Sequence, residues 1–219
     1  MLRWSQGAVA VAFASTAVLH IVGAGSVDPV AQTISDYVAI PGGYALLGVA
    51  AFTLTAAGAV LAVGVCRVGL PRPGTPAALL WSWSVALLLL GVFPTNAPGT
   101  PPGLVAAVHR YAGAWAFAVL PVAGMLVARR LRDTPGWTRA ATGLARLSVT
   151  TAVLSLTFLL AHIPLVFGGT SPVPLLGLVE RALYAVLLVL LLAIAQVVDQ
   201  PVVSGSTVIR KASEVGSAA

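Results

Sequence analysis

The chain has 219 residues, of which 58% are hydrophobic and only 8% are charged. Soluble domains carry charge on about a quarter of their residues, so this composition excludes a soluble globular protein and indicates a membrane protein. The net charge of +6 does not indicate a nucleic-acid-binding protein, because the basic residues lie in short segments between apolar stretches. The single cysteine, Cys66, excludes an intramolecular disulfide and a cysteine-based metal cage.

Six apolar stretches reach or approach the length of about 20 residues that a helix needs to cross a membrane. They cover residues 4–24, 43–66, 77–93, 104–128, 144–167 and 175–198. The first could instead be a signal peptide, because Arg3 precedes its apolar core, but no convincing cleavage site follows before Asp28. We predict an all-α fold, a polytopic membrane bundle of about six transmembrane helices within residues 1–198. A disordered cytoplasmic tail is predicted at 199–219.

The basic residues predict how the bundle is oriented, because lysine and arginine are concentrated in cytoplasmic segments. With the N-terminus inside, ten of the twelve are cytoplasmic: Arg3, Arg67, Arg72, Arg129, Arg130, Arg132, Arg139, Arg146, Arg210 and Lys211. The remaining two, Arg110 and Arg181, lie within apolar stretches near the opposite face. The predicted topology is therefore N-in/C-in. The excess of arginine over lysine, with abundant Ala, Val, Leu and Gly, indicates a bacterial chain, hence the cytoplasmic (inner) membrane.

Polar residues gather near that opposite, extracytoplasmic face. The first outer segment contains Asp28, Gln32, Ser35 and Asp36. Its apolar residues from Val30 onward recur at helical spacing, which predicts either a short helix in the membrane interface or an ordinary connecting loop. In the helix, Gln32 and Asp36 would share the polar side.

Charged residues also open the fourth and sixth stretches. A charged side chain that faces lipid near the bilayer centre costs about 2.5–3.5 kcal/mol even on insertion scales. We therefore predict that these residues face the interior of the bundle. We further predict a network that joins Arg110 and Arg181 to Asp36 and Glu180.

Candidate roles follow from residue type. We predict Asp36, His109 and Glu180 as catalytic residues, and a ligand-binding set of Gln32, Ser35, Asn96, Arg110, Arg181 and Tyr184. Ser35 could act as a nucleophile only if a histidine reached it in space. His20, His109 and His162 are predicted at similar depth, where they could hold zinc or haem. No two of them share one helix at ligand spacing, so no cofactor is predicted.

Several motifs resemble one known family. They are DPVAQTISDY after the first stretch, GVFPTN after the third, HR near the start of the fourth, PGW in the following loop, and GLVER opening the sixth. Together they resemble the bacterial DUF998 family of integral membrane proteins, over roughly residues 15–198. The resemblance implies a multi-helix membrane fold but no established activity. Members often have Asp after FPT where this chain has Asn96, which puts any role of a carboxylate there in doubt.

Three functions remain open on this basis. The first is an enzyme or binding protein that acts on a lipid or other amphiphile at the polar pocket, with Arg110 or Arg181 holding an anionic head group. The second is a non-catalytic membrane subunit or assembly factor, with a protein partner or a second copy of the chain. The third is a small transporter. Membrane lipids are the expected surroundings in each case, and nucleic acid is not an expected partner.

Overall fold

The computed structural model describes residues 1–68, 70, 72–96, 100–101, 103–132, 134, 136–166 and 174–200, with backbone alone at 164–166. These residues form six α-helices, α1 to α6 in chain order: Leu2–Val22, Gly43–Arg67, Gly74–Val92, Leu104–Arg132, Thr138–Val166 and Leu176–Asp199. A short 3₁₀ helix, Ile34–Ala39, lies between α1 and α2. Residues 201–219 of the predicted tail lie outside the described part.

All six α-helices are long and apolar enough to cross a membrane. An α-helix satisfies its own backbone hydrogen bonds, which is the requirement that hydrocarbon imposes on a single spanning segment. No strand occurs among the described residues. The predicted fold class is confirmed, and the protein is a multi-pass integral membrane protein.

The helices pack in chain order, and α1 lies against both α2 and α6. Small residues permit close approach at two of the contacts. A Cβ on Gly58 of α2 would meet Trp83 and Ser84 of α3. A Cβ on Gly124 of α4 would meet a side chain of α5 and one of α6.

The bundle has two chemically different ends. At the first, which we call the basic end, the Met1 amino group lies 3.0 Å from Asp199 Oδ1, so α1 begins where α6 finishes. Arginines cluster at the helix termini and connections of this end: Arg3, Arg67, Arg72, Arg129, Arg130, Arg132 and Arg139. At the second, the polar end, the 3₁₀ helix meets the starts of α4 and α6.

Two local features differ from the sequence-based expectation. The fifth helix begins at Thr138, before the predicted apolar stretch that starts at 144, because a helix keeps its backbone hydrogen bonds through polar residues that a hydropathy criterion rejects. The predicted interfacial helix is shorter than its apolar spacing suggested. It begins after Thr33, so Gln32 shares no helical face with Asp36. Ile34 and Tyr37 are buried, and the segment therefore covers the polar end of the bundle.

Candidate functional site

A cavity of about 1070 Å³ opens at the polar end. All six α-helices and the 3₁₀ helix contribute to it. Its polar lining consists of Thr16, Gln32, Thr33, Ser35, Asp36, Thr95, Asn96, Thr100, His109, Arg110, Tyr111, His162, Glu180 and Tyr184. All the predicted catalytic residues and five of the six predicted ligand-binding residues belong to this lining. The exception is Arg181.

The cavity becomes apolar as it goes deeper. Leu54 lines it eleven residues after the first residue of α2, a distance of about 16 Å along the helix. Phe117 of α4 and Phe158 of α5 line it as well, with their rings packed edge to face at 5.1 Å. The cavity therefore joins a polar mouth to an apolar interior.

His109 and Ser35 form a hydrogen-bonded pair in the lining. His109 Nδ1 lies 2.7 Å from the Phe93 carbonyl oxygen. A carbonyl only accepts, so Nδ1 carries the ring proton of the neutral imidazole. His109 Nε2 is then the acceptor, and the Ser35 hydroxyl, 3.0 Å away, donates to it. The sequence alone could not bring this histidine to Ser35, because 74 residues separate the two.

The Phe93 carbonyl is a functional group that the sequence prediction missed. The dipeptide Phe93–Pro94 could have predicted it, because a residue before proline is disfavoured in the helical region and a helix therefore tends to end there. Phe93 indeed has φ −105° and ψ 105°, and α3 ends just before it. Carbonyls at a helix C-terminus lack an intrahelical partner, and His109 supplies one.

Arg110 follows His109 and lines the same cavity, half-buried. Its Nη2 donates to Asn96 Oδ1 at 2.8 Å, while Asn96 Nδ2 donates to the Thr100 carbonyl. Asn96 therefore orients the guanidinium by a neutral contact. Aspartate at this position would instead form an ion pair with Arg110.

The two predicted carboxylates position the 3₁₀ helix. Asp36 Oδ2 accepts from the backbone N–H and the hydroxyl of Thr33, at 2.7 and 2.9 Å, which closes a capping box. Glu180 of α6, only 5% exposed, accepts from the Ile34 N–H at 2.5 Å. Ser35 lies between Ile34 and Asp36, so both of its neighbours are fixed.

Arg181 links three segments of the polar end. Its Nε donates to His20 Nε2 at 2.6 Å, and its Nη1 donates to the Gln32 and Gly177 carbonyls at 2.8 and 2.9 Å. The guanidinium carbon lies 5.8 Å from the centre of the Tyr37 ring, a cation–π distance. Tyr37 is 1% exposed and was not predicted as a site residue.

The predicted ion pairs of Arg110 and Arg181 with Asp36 and Glu180 are wrong as direct contacts. The ion pair that forms among the described residues joins the Met1 amino group to Asp199. Backbone groups compete successfully for both kinds of side chain: the carboxylates accept from N–H groups, and Arg181 donates to carbonyls. Pairing side chains by opposite charge does not predict partners that belong to the backbone.

The remaining predicted residues have local roles. Gln32 Oε1 accepts from the Asp28 N–H at 2.7 Å, and Asp28 Oδ1 accepts from the Val30 N–H at 2.8 Å, so Asp28 and Gln32 stabilise one turn. The Tyr184 hydroxyl lies 3.3 Å from Thr16 Oγ1.

The three histidines have separate surroundings. His20 Nδ1 donates to the Thr16 carbonyl at 2.7 Å, and its Nε2 accepts from Arg181. His162 Nδ1 is buried and has no hydrogen-bond partner among the described residues. In that part of the chain, no three His, Cys, Asp or Glu side chains are grouped closely enough to hold a metal ion.

Comparison with known proteins adds one finding. The model of the family described as "Protein of unknown function (DUF998)" matches residues 7–197. This match confirms the resemblance that the sequence motifs predicted. No curated protein and no solved structure matches the chain.

Proposed function

The chain belongs to the DUF998 family, and we propose from the geometry of its polar-end cavity that the protein binds an amphiphile there. Membership of the family does not by itself imply an activity. The observation that carries this proposal is the change in lining, from ionisable residues at the mouth to leucine and phenylalanine in the interior. Ligand sites are commonly about 300–1,000 Å³ and mostly apolar, with a few polar groups that fix orientation. At about 1070 Å³, this cavity is slightly larger than the upper limit of that range.

The charged lining indicates the kind of polar head. Arg110 offers a guanidinium that a carbonyl, carboxylate or single phosphate oxygen would accept from. Asp36 lines the same mouth, and its carboxylate would repel a head group with several negative charges. A neutral or zwitterionic amphiphile fits this combination better than a polyanionic one.

A large side chain introduced into the cavity interior should compete with the apolar tail of the bound amphiphile. Ala114 of α4 lines the cavity, whereas Ala118, one turn further along, is exposed and does not. We expect Ala114→Phe to lower the amount of co-purifying amphiphile by about 5- to 100-fold, since filling a packed space costs about 1–3 kcal/mol. Mass spectrometry of organic extracts from protein purified in mild detergent measures this amount.

Ala118→Phe is the matched control and should retain the wild-type amount, because Ala118 is exposed and does not line the cavity. An equal loss in both variants would indicate a general effect of phenylalanine on the bundle. Wild-type protein that carries no stoichiometric amphiphile would contradict the proposal directly.

We place the cavity mouth on the extracytoplasmic side of a bacterial inner membrane. The support is the cluster of arginines at the basic end, which the positive-inside rule assigns to the cytoplasm. An amphiphile would then enter from the outer leaflet.

Cys66 permits a test of this orientation, because it is the single cysteine and is exposed at the basic end. In intact cells, a membrane-impermeant maleimide should leave Cys66 unlabelled and label it only after permeabilisation. The matched variant, Cys66→Ala with Ser26→Cys, moves the thiol to an exposed residue after α1 and should be labelled in intact cells. The reverse pattern would assign the mouth to the cytoplasm.

A further inference from the structure

Ser35 and His109 have the arrangement of a nucleophile and its general base. Their 3.0 Å contact is within the range of about 2.6–3.2 Å expected for such a pair. Both side chains line the cavity that we propose to hold an amphiphile. We propose that Ser35 and His109 hydrolyse an acyl ester of that amphiphile. The identity of the substrate rests on the proposed binding function, whereas the reactivity of Ser35 does not.

The base is held in the tautomer that the reaction requires. Because His109 Nδ1 donates to the Phe93 carbonyl, the lone pair of Nε2 points to the Ser35 hydroxyl. His109 is only 7% exposed, so few water molecules compete for Nε2. In serine proteases a carboxylate takes the place of this carbonyl and also stabilises the imidazolium. A neutral carbonyl orients the ring without that stabilisation, so we expect slow turnover.

The nucleophile is held by contacts on both sides. Glu180 accepts from the N–H of Ile34, and Asp36 closes the capping box with Thr33. Ser35 is therefore presented to the cavity by a backbone that is restrained by α6 and by the capping box of its own 3₁₀ helix. Such restraint lowers the entropic cost of bringing the hydroxyl to a bound carbonyl.

The reaction proceeds in two balanced steps, with water as the co-reactant. In the first, the Ser35 proton moves to His109 Nε2 while Oγ bonds to the ester carbonyl carbon. The carbon–oxygen bond to the alcohol then breaks, and the alcohol leaves with the proton from Nε2. In the second step, His109 takes a proton from water, the hydroxide attacks the acyl-serine, and the fatty acid leaves as Ser35 regains its proton.

The cavity indicates where the two parts of the ester lie. Ser35 and His109 belong to the polar mouth, while Leu54 and Phe117 line the interior. An ester carbonyl at the boundary would place its acyl chain among these apolar side chains. The alcohol portion would remain at the mouth beside Arg110. The substrate class is therefore an ester of a long-chain fatty acid.

The experiment uses a small fluorophosphonate probe on the purified full-length protein. Such probes phosphonylate a serine only when a base activates it, and they need no apolar chain. We expect peptide mass spectrometry to locate the label on Ser35, and Ser35→Ala to abolish it. His109→Gln keeps a hydrogen-bonding amide but cannot take the proton, so labelling should slow by about 10²- to 10⁴-fold.

Ser82→Ala is the matched control, because Ser82 is also half-buried and accepts a ring N–H, that of Trp115. It should label at the wild-type rate. Wild-type protein that stays unlabelled while folded would overturn the proposal, as would a label on another serine. Equal labelling of wild type and His109→Gln would overturn the role of the base. The position of the label in wild type keeps the test valid even where a variant fails to fold.

A second measurement separates this proposal from the proposed binding function. We expect wild-type protein to cleave p-nitrophenyl dodecanoate at least tenfold faster than p-nitrophenyl acetate, and Ala114→Phe to remove this preference. Labelling of Ser35 without a chain-length preference would support the reactive pair and contradict binding of an acyl chain. Co-purifying amphiphile in a protein that neither labels nor cleaves would support binding and contradict hydrolysis.

Discussion

Arg181→Met should lower the thermal unfolding midpoint of the purified protein by about 5–15 °C. The substitution keeps an unbranched chain but removes the donors that hold His20 and the Gln32 carbonyl. Hydrogen bonds from charged donors contribute about 1.5–3 kcal/mol each, although the average in membrane proteins is nearer 0.6. A loss of about 2–4 kcal/mol corresponds to that shift in a chain of this size.

Arg146→Met provides the matched control for Arg181→Met. Arg146 is exposed on α5 and makes no hydrogen bond or ion pair within the described residues. Its replacement should change the midpoint by no more than about 2 °C, the usual range for a surface substitution. Intrinsic tryptophan fluorescence on heating measures both variants in the same detergent. An equal effect of the two substitutions would show that Arg181 does not link the segments of the polar end.

Gly177→Ala should also destabilise the protein, although alanine is normally the better helix former by about 1 kcal/mol. Gly177 lies in the first turn of α6, and a Cβ there would meet the carbonyl oxygens of Gln32 and Pro29. Backbone atoms cannot rotate away as a side chain can, so α6 or the loop must move. We expect a net loss of about 1–3 kcal/mol, the usual cost of overpacking.

Gly143→Ala is the matched control for Gly177→Ala. Gly143 lies in α5, and a Cβ there would meet nothing within 4 Å. Its replacement should raise the unfolding midpoint, by the equivalent of about 0.5–1 kcal/mol. The same chemical change therefore has opposite signs at the two positions. A rise in the midpoint of Gly177→Ala would contradict the close approach of α6 to the outer loop.

These stability predictions bear on the reactive pair as well. Gly177, Glu180 and Arg181 lie on consecutive turns of α6, and all contact the segment that precedes or begins the 3₁₀ helix. The position of Ser35 thus depends on where α6 begins. We infer that α6 orients the nucleophile, while α3 and α4 orient the base through Phe93 and His109.

The sequence by itself determined the architecture of this protein. Stretches of about 20 apolar residues can satisfy their backbone groups in lipid only as helices or closed barrels, and these stretches lack the alternating pattern of barrel strands. The same argument predicted that the ionisable residues of the fourth and sixth stretches would turn inward. His109, Arg110 and Glu180 do line the cavity, because exposing a charge to hydrocarbon is costly whatever the local contacts are.

Only the tertiary structure decided which groups these residues contact. Arg181 and Glu180 are adjacent in sequence, yet the first binds carbonyls and a histidine while the second binds an N–H. Such partners belong to the backbone of distant segments, and residue types carry no information about them. The Ser35–His109 contact is of the same kind. It depends on how α3, α4, α6 and the segment of Ser35 pack together. A displacement of one ångström between the two side chains would be enough to break the hydrogen bond.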